Sequence, residues 1–424
     1  MIIPFFNKIS YNIDAEERNQ NMSNDDRVFV KPLDRYLSKL DVWAMAFGCM
    51  VGWGVFAMPG STFLPVAGPL GTAIAFAVGT AIMLVIGHNF SYLMGRTSMT
   101  GGVYSYTKEA FGRDHAFLCA WFLCLSYLTI VFLNGTALFL VIRTLFSDVV
   151  QTGIHYTIAG NVIYLKETAV SVFVLTLVGV LVVAAKPLLQ KVHTVLSVVM
   201  LIGITITSVA CIPHGFSSGN FFSFGSSGTN PVFAVFSLVI LAPWAFVGFE
   251  TTSFDTAHFR FPISNSKKII LISIIVTAFS YTSMALVSVA CVPDGFSDWQ
   301  TYIYSLDTLN GIPSVPTFYV ARSIMGDAGI LIMTMTAISA ILTGIIGGYR
   351  ATTRILSTMA EDRILSELFS KTTYSILFIM IISIILSLFG RNTLDWFVDL
   401  TSFGAIIGFG YTSAAACKIA RMEQ

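Results

Sequence analysis

The sequence predicts an all-α integral membrane protein of about ten transmembrane helices in two inverted five-helix repeats, with helices 1 and 6 broken. Three observations support this fold class: the composition, ten long apolar stretches, and glycines and prolines that interrupt the first and sixth of them. Of the 424 residues, 55% are hydrophobic and 11% are charged, whereas soluble proteins contain about 25% charged residues. This composition predicts a lipid bilayer as the surroundings of the protein. The net charge of +1 gives no reason to expect nucleic acid as a partner.

A helix needs about 20 apolar residues to cross a bilayer. Ten stretches approach or exceed this length, and we number them span 1 to span 10: Val42–Leu64, Leu70–Met94, Ala116–Ile142, Thr168–Ala185, Val192–Ile212, Pro231–Phe254, Ile269–Val292, Ala328–Tyr349, Tyr374–Phe389 and Phe397–Cys417. Span 9 is short for a straight crossing. The spans divide the chain into an N-terminal segment (1–40), a first repeat (41–212), an extracellular loop (213–230) and a second repeat (231–421).

The distribution of lysine and arginine predicts the orientation in the membrane. With the N-terminus placed inside, twenty of the 24 basic residues fall in inside segments and four fall in outside loops. Cytoplasmic loops are enriched in Lys and Arg. We therefore expect both termini in the cytoplasm, in a protein of the plasma membrane.

Span 1 contains an unusual run of glycines around its middle, at Gly48, Gly52 and Gly54, with Trp53 between the last two. Glycine weakens a helix by about 1 kcal/mol relative to alanine. Broken helix is tolerated in a membrane only where it faces a cavity or is buried in protein. Two interpretations follow: the helix is interrupted here and its open backbone binds a ligand, or the small residues only allow close helix packing.

Span 6 has a similar interruption, where Pro243 and Gly248 flank the segment that precedes Glu250. Proline removes a backbone donor and kinks a helix. Glu250 places a carboxylate inside a membrane span. Burying such an acid in the membrane costs free energy, so intramembrane acids are functional candidates by default. The alternative for Glu250 is a structural acid that accepts hydrogen bonds from freed backbone amides.

The two interruptions occupy corresponding places, because span 1 opens the first five spans and span 6 opens the second five. Five is odd, so the second repeat enters the membrane in the opposite orientation. Paired breaks of this kind point to an inverted-repeat transporter. The N-terminus of a half-helix attracts an anionic group and the C-terminus attracts a cation. A zwitterion such as an α-amino acid offers both charges.

Several motifs resemble those of the amino acid–polyamine–organocation (APC) family of permeases, over about Leu40 to Arg421. They are Gly48-x-x-x-Gly52-x-Gly54-Val55-Phe56 with Pro59-Gly60 and Ala67-Gly68-Pro69, Gly101-Gly102-Val103-Tyr104-Ser105-Tyr106 with Ala110-Phe111-Gly112, Phe246-Val247-Gly248-Phe249-Glu250, and Arg354-Ile355-Leu356 with Ala360, Asp362 and Leu365. The resemblance implies a LeuT-like fold that works by alternating access.

The resemblance also implies a substrate site at the two breaks. The substrate carboxylate would meet the backbone N–H groups of Trp53 and Gly54, beside Gly52. The substrate ammonium would meet the carbonyls of Met50, Trp244 and Val247. The expected binding residues on the two breaks are therefore Met50, Gly52, Trp53, Gly54, Trp244, Val247 and Gly248. Trp244 would act as a lid, and Glu250 would take part in gating or ion coupling.

This sequence departs from the family pattern at Trp53, where relatives usually have a small residue. The backbone N–H survives the change, but the indole must find space, so we expect it to narrow the pocket, favour a small substrate or plug the site. Most relatives also have twelve helices, and ten are predicted here.

Polar residues on other spans are candidates for selectivity and ion binding. Span 3 carries three polar candidates, Ser126, Tyr127 and Asn134, of which the first two lie near its middle. Each is either a packing hydrogen bond or a ligand, and Tyr127 is the one we assign to the substrate site. On span 8, Thr336, Ser339 and Thr343 lie on one helix face, and we assign the last two to a candidate ion site. With the carbonyl of Val51 they would form a sodium site; the alternative is ordinary hydrogen bonding between helices.

A group of ionisable residues lies at the expected cytoplasmic ends of spans 2, 6 and 8. Asp255, His258 and Arg260, together with Arg96 and Arg354, either form an inner ionic gate or line a solvated membrane edge.

The sequence predicts a secondary transporter of amino acids. The alternatives are an amine or polyamine exchanger of the same fold, a transport-dead homologue that senses amino acids, and a channel, although the continuous polar face that a channel needs is not seen. No catalytic triad, phosphate-binding loop or zinc-ligand spacing appears in the sequence, so we expect no enzymatic activity, no catalytic residue, no bound metal and no cofactor beyond a coupling ion, H⁺ or Na⁺. The expected partners are the substrate and lipid; no oligomeric state is predicted.

Overall fold

The computed structural model describes residues 35–96, 101–146, 152–158, 161–225, 230–389 and 394–423. Within these residues, eight helices are long and apolar enough to cross a membrane: Gly54–Arg96, Arg113–Leu145, Leu165–Ala184, Lys186–Phe216, Pro231–Phe254, Ile263–Val287, Pro316–Glu361 and Trp396–Met422. Most of the predicted N-terminal segment lies outside the described residues. The fold is the predicted one, an all-α membrane architecture.

Helices occupy all ten predicted spans, but the helices of spans 1 and 9 are not long enough to be among these eight on their own. Span 1 begins with the helix Lys39–Met50 and continues after its break into Gly54–Met58 and a π-helical turn, Pro59–Phe63. Span 9 is the helix Thr372–Ser387 of 16 residues, which is about 24 Å long at 1.5 Å per residue.

Spans 1 and 2 are joined without a loop, which the sequence alone does not indicate. The helix Leu64–Arg96 contains Gly68 with φ 68° and ψ −179°, followed by Pro69. A Cβ atom on Gly68 would lie 2.5 Å from backbone atoms of Phe224 and Gly225, so only glycine fits this bend. The kink therefore separates the end of span 1 from the start of span 2.

The remaining spans are single helices apart from spans 6 and 8. Span 6 is helical over Pro231–Ala245 and resumes as a 3₁₀ helix over Phe249–Phe254. Span 8 is Pro316–Glu361, bent at Gly326. The other helices that form spans are Arg113–Leu145 (span 3), Leu165–Ala184 (span 4), Lys186–Ser218 (span 5), Ser266–Val287 (span 7) and Leu394–Met422 (span 10).

Shorter elements connect the spans. An amphipathic helix, Gly102–Phe111, lies between spans 2 and 3, and a short helix, Trp299–Tyr304, lies between spans 7 and 8. Between spans 3 and 4 the strands β1 (His155–Ile158) and β2 (Asn161–Tyr164) pair antiparallel, with His155 opposite Tyr164. No sequence pattern that we used predicts this hairpin.

The packing places the broken part of span 1 at the centre of the molecule. The helix Lys39–Met50 packs against spans 5, 7 and 8, and span 8 in turn packs against spans 3 and 5. The outer surfaces of spans 2, 4, 5 and 6 expose large apolar side chains, including Val85, Phe173, Val209 and Phe233. Many exposed large apolar side chains on these helices indicate a lipid-facing exterior.

The predicted inside segments meet on one side of the molecule, which we call the basic side. Residues 35–37 pair with residues 258–260, and Leu37 and Phe259 form a parallel β-bridge. Arg96 forms a 2.7 Å ion pair with Glu423 near the end of span 10. Segments that lie far apart in the chain therefore meet on this side.

Candidate substrate site at the broken helices

The break in span 1 lies where the glycines predict it. The first half-helix begins at a capping box formed by Ser38 and Asp41 and ends at Met50. Val51 is extended, with φ −99° and ψ 96°, and a new helix begins at Gly54. The first N–H groups and last C=O groups of a helix lack partners within it. The break therefore brings a helix C-terminus and a helix N-terminus together at the centre of the protein.

Asn134 on span 3 fills the opening of this break. Its Oδ1 accepts a hydrogen bond of 3.2 Å from the backbone N–H of Trp53, and its Nδ2 donates one of 2.9 Å to the carbonyl of Ile130. A Cβ atom on Gly52 would lie 2.8 Å from Asn134 Oδ1, and one on Gly344 would lie 2.7 Å from its Nδ2. The amide thus occupies space that glycines on spans 1 and 8 leave, and it binds an N–H that the family resemblance assigns to the substrate.

The break in span 6 passes directly against the break in span 1. Gly248 has φ 140°, and a Cβ atom there would lie 2.7 Å from the backbone nitrogen of Met50. The Trp244 indole lies against Gly54, so closely that a Cβ atom on Gly54 would overlap the ring. The predicted lid residue therefore covers the N-terminus of the second half-helix of span 1.

Glu250 and Tyr127 form one unit. Glu250 is fully buried, and its carboxylate accepts a 2.6 Å hydrogen bond from the Tyr127 hydroxyl and a 2.9 Å hydrogen bond from the backbone N–H of Gly248. Burying a carboxylate is expensive unless donors replace water. Here, one donor comes from span 3 and the other from the break itself, so the acid ties the bend in span 6 to span 3.

A small cavity of about 20 Å³ lies between the two breaks, little more than one water molecule requires. It is lined by Cys49, Met50, Gly52, Trp53, Gly54, Ile130, Leu133, Asn134, Trp244, Val247 and Tyr281. Six of the eight predicted binding residues are among them. Gly248 lies behind Met50, and the Tyr127 hydroxyl is bonded to Glu250 instead of facing the cavity lining.

The cavity also contains residues that the sequence analysis did not assign to the site. Tyr281 on span 7 donates a 3.4 Å hydrogen bond to the carbonyl of Met50, and its ring stacks on Phe76 with centroids 5.4 Å apart. A tyrosine inside an apolar span carries no sequence signal that separates this position from ordinary packing. Asn134, by contrast, is an amide inside an apolar span and is one of the polar candidates that the sequence indicates on span 3.

Trp53 finds its space between spans 1, 3 and 8. Its side chain is 4% exposed. It lines the central cavity and also a second small apolar cavity, whose lining includes Phe56, Leu140 and Phe318. The indole therefore narrows the site from one side, and Trp244 covers it from another.

The residues proposed for sodium binding lie on span 8, close to span 1. The Ser339 hydroxyl donates to the carbonyl of Met335 at 2.7 Å, and the Thr343 hydroxyl donates to that of Ser339 at 2.9 Å. Thr343 packs against Gly48 of span 1, because a Cβ atom on Gly48 would lie 3.0 Å from Thr343 Cβ. With their protons directed at their own helix, the two hydroxyl oxygens keep lone pairs for a further donor or cation.

The ionisable residues on the basic side are partly assembled. Asp255 is buried and forms ion pairs with Arg354 at 2.9 Å, Arg350 at 3.4 Å and His258 at 3.7 Å. Burial acts to raise the pKa of Asp255, but the positive charges of Arg354 and Arg350 outweigh it and hold the pKa below its usual value. Arg96 instead pairs with Glu423, so it is not part of this cluster.

Comparison with known proteins places the chain among amino acid permeases. A family model described as amino acid permease matches residues 37–423. The chain is 25% identical over 278 residues to the branched-chain amino acid permease BcaP of Bacillus subtilis (strain 168), covering 62% of this chain and 56% of the relative. It is 23% identical over 413 residues to the vacuolar cationic amino acid transporter 4 of Arabidopsis thaliana, covering 91% of this chain and 63% of the relative.

A solved structure supports the fold. The substrate-bound, outward-open state of a Na⁺-coupled sialic acid symporter aligns with a TM-score of 0.61 and 11% sequence identity, covering 97% of this chain and 84% of the symporter. At this identity the likeness shows the fold alone, which is the predicted LeuT-like one. The sequence and structural matches together agree with a multi-pass membrane transporter.

Proposed function

The chain belongs to the amino acid permease family, and on that premise we propose that it carries small neutral amino acids across the plasma membrane by alternating access. The observation that carries the proposal is the meeting of two broken helices around one cavity. A helix N-terminus at Gly54 and helix C-termini at Met50 and Ala245 offer partial charges of opposite sign. An α-amino acid carries matching charges on one carbon atom.

The two ends of the zwitterion would bind to opposite sides of the cavity. The carboxylate would accept hydrogen bonds from the N–H groups of Gly54 and Trp53, the latter after Asn134 releases it. The ammonium would donate to the carbonyls of Met50, Trp244 and Val247. Both sets are backbone groups, so they would recognise the part that all α-amino acids share.

The side chain of the substrate would meet an apolar wall. The cavity lining contains aromatic and aliphatic residues and the amide of Asn134, with no charged side chain among them. Trp53 and Trp244 further limit the space. We therefore favour a small neutral amino acid over a cationic one, although the plant relative is named a cationic amino acid transporter.

Access would alternate through movements on the two sides of this cavity. Trp244 would have to rotate away from Gly54 to admit a substrate, since the cavity holds little more than one water molecule. On the basic side, which we take as cytoplasmic, the ion pairs of Asp255 and the bridge between Leu37 and Phe259 would have to separate.

We further propose that a cation, H⁺ or Na⁺, drives transport. A sodium ion would bind the oxygens of Ser339 and Thr343 with the carbonyl of Val51, whereas a proton would act through Glu250. To distinguish the two ions, uptake is measured with a sodium gradient at fixed pH, and with a pH gradient in the absence of sodium. Uptake that responds to neither gradient would contradict ion coupling.

The proposal is tested with purified protein in proteoliposomes. Uptake of radiolabelled neutral and cationic amino acids is measured in parallel with binding to the same protein. We expect saturable uptake of a small neutral amino acid. Binding without uptake would refute transport, and uptake of cationic amino acids only would refute the assigned substrate class.

A further inference from the structure

The second small cavity beside the substrate site, which we call the outer cavity, is separated from the central one by the indole of Trp53. The outer cavity has a volume of about 20 Å³, the same as the central cavity. Among the residues that the structure describes, Trp53 is the one that lines both. The transport cycle proposed above uses the central cavity only, so the outer cavity has no role in it.

One face of span 3 runs past both cavities. Asn134 lines the central cavity, and Ala137, Val141 and Thr144 line the outer one. These residues follow one another at intervals of three or four, so they share one side of the helix. The two cavities are therefore neighbours along this face, and the buried side chain of Trp53 lies between them.

The outer cavity is apolar. Besides Trp53, its described lining consists of alanine, larger aliphatic and phenylalanine side chains together with Thr144. The Thr144 hydroxyl donates a 2.8 Å hydrogen bond to the carbonyl of Leu140 on its own helix. Transfer of an apolar group from water into such surroundings is favourable, whereas a charged group would lose its hydration without gaining a partner. The lining therefore suits an apolar side chain and disfavours a charged one.

The proposed binding mode brings the substrate against the Trp53 indole. The backbone N–H of Trp53 is a proposed ligand of the substrate carboxylate, and Gly52 and Gly54 on either side of it carry no side chain. A substrate side chain directed toward span 3 would therefore meet the Trp53 ring. Rotation of Trp244, which lies against Gly54, makes room on the side of span 6 and leaves this ring in place.

We propose that Trp53 sets the upper limit on the size of the substrate side chain, and that the outer cavity is a latent subsite for larger apolar side chains, closed off by this indole. This role rests on the proposed function, because it takes a neutral α-amino acid at the two breaks as the ligand. Alanine fits with the indole in place, whereas leucine needs the space that the indole occupies. An apolar cavity left by the removal of a large buried side chain stays dry and binds an apolar guest.

The test measures the binding of alanine and of leucine to the full-length protein in detergent micelles by isothermal titration calorimetry. The wild-type protein is expected to bind alanine about tenfold more tightly than leucine. Trp53→Ala is expected to bind leucine about tenfold more tightly than the wild-type protein does, the equivalent of burying about two more methylene groups. Its affinity for alanine should change less than about threefold, because the backbone groups that hold the zwitterion are kept.

A second substitution and a matched control test the location. Added to Trp53→Ala, Ala137→Leu fills the outer cavity from span 3 and should take back the gain in leucine affinity. The control, Trp43→Ala, removes an indole from the same span outside both cavity linings, where it stacks on Phe47, and should leave both affinities unchanged. If Trp53→Ala does not fold, Trp53→Leu removes less volume and should show the same changes to a smaller extent.

The size limit is refuted if the wild-type protein binds leucine as tightly as alanine, or if Trp53→Ala keeps its alanine affinity and gains none for leucine. The outer cavity is refuted as the subsite if Ala137→Leu does not reverse the gain, or if Trp43→Ala produces the same gain. In each of these cases alanine still binds, so the proposed function stands. If the wild-type protein binds no amino acid, the proposed function fails and the role of Trp53 fails with it.

Discussion

The contact between Tyr127 and Glu250 predicts a measurable coupling between spans 3 and 6. The Tyr127 hydroxyl donates a 2.6 Å hydrogen bond to a fully buried carboxylate. Removing a donor to a buried charged group costs about 1.5–3 kcal/mol. We therefore expect Tyr127→Phe to lower the free energy of unfolding by that amount, measured by equilibrium unfolding of the purified protein in mixed micelles.

Tyr349 offers a matched control, because it is also a buried tyrosine with one hydrogen bond, of 3.0 Å, to the neutral carbonyl of Leu175. Loss of a neutral hydrogen bond costs about 0.5–1.5 kcal/mol. Tyr349→Phe should therefore be less damaging than Tyr127→Phe.

A double-mutant cycle isolates the pair itself. In the Glu250→Gln background the acceptor is neutral, so Tyr127→Phe should cost less than it does in the wild-type protein, with a coupling energy of about 1 kcal/mol or more. We also expect Glu250→Gln to impair uptake more than substrate binding. Additive stability losses would refute the energetic argument, and unchanged uptake would remove Glu250 from the transport mechanism.

Three further outcomes follow from single contacts. Gly248→Ala should prevent stable folding, because the added Cβ atom would lie 2.7 Å from the backbone of span 1 at a φ of 140°, while Gly410→Ala on span 10, where nothing lies within 4 Å, should be tolerated in the same thermal assay. Asn134→Leu should leave the backbone N–H at the break without its acceptor, lowering ligand-free stability but tightening amino acid binding about tenfold as a carboxylate takes its place; weaker binding by isothermal titration would contradict this. Burial acts to raise the pKa of Asp362, but hydrogen bonds and the charge of Lys108 lower it overall. The ionised Asp362 therefore stabilises the fold fully above the unfolded pKa of about 3.9. This stabilisation is lost as the pH falls through the lower folded pKa. Melting temperatures of the wild-type protein and Asp362→Asn should therefore converge in acid. A difference that stays constant from neutral pH down to acid would contradict a stabilising role of the ionised Asp362.

The sequence by itself determined the membrane architecture and the places of the two breaks. Hydropathy defines the spans because a bilayer demands about 20 apolar residues per helix, and this requirement acts on each segment alone. The break at Gly52–Gly54 and the bend before Glu250 are also local properties, since glycine and proline weaken a helix wherever they stand. Six of the eight predicted binding residues line the central cavity, because these six lie at the two breaks.

Only the tertiary structure decided which side chains meet across the spans. Asn134 bonds to the backbone of a residue 81 positions away, and Tyr127 bonds to a carboxylate 123 positions away. Such pairs depend on the rotation and depth of one helix relative to another, and apolar spans carry too little periodic pattern to fix either. The same limit explains why the sequence does not indicate that Tyr281 lines the central cavity.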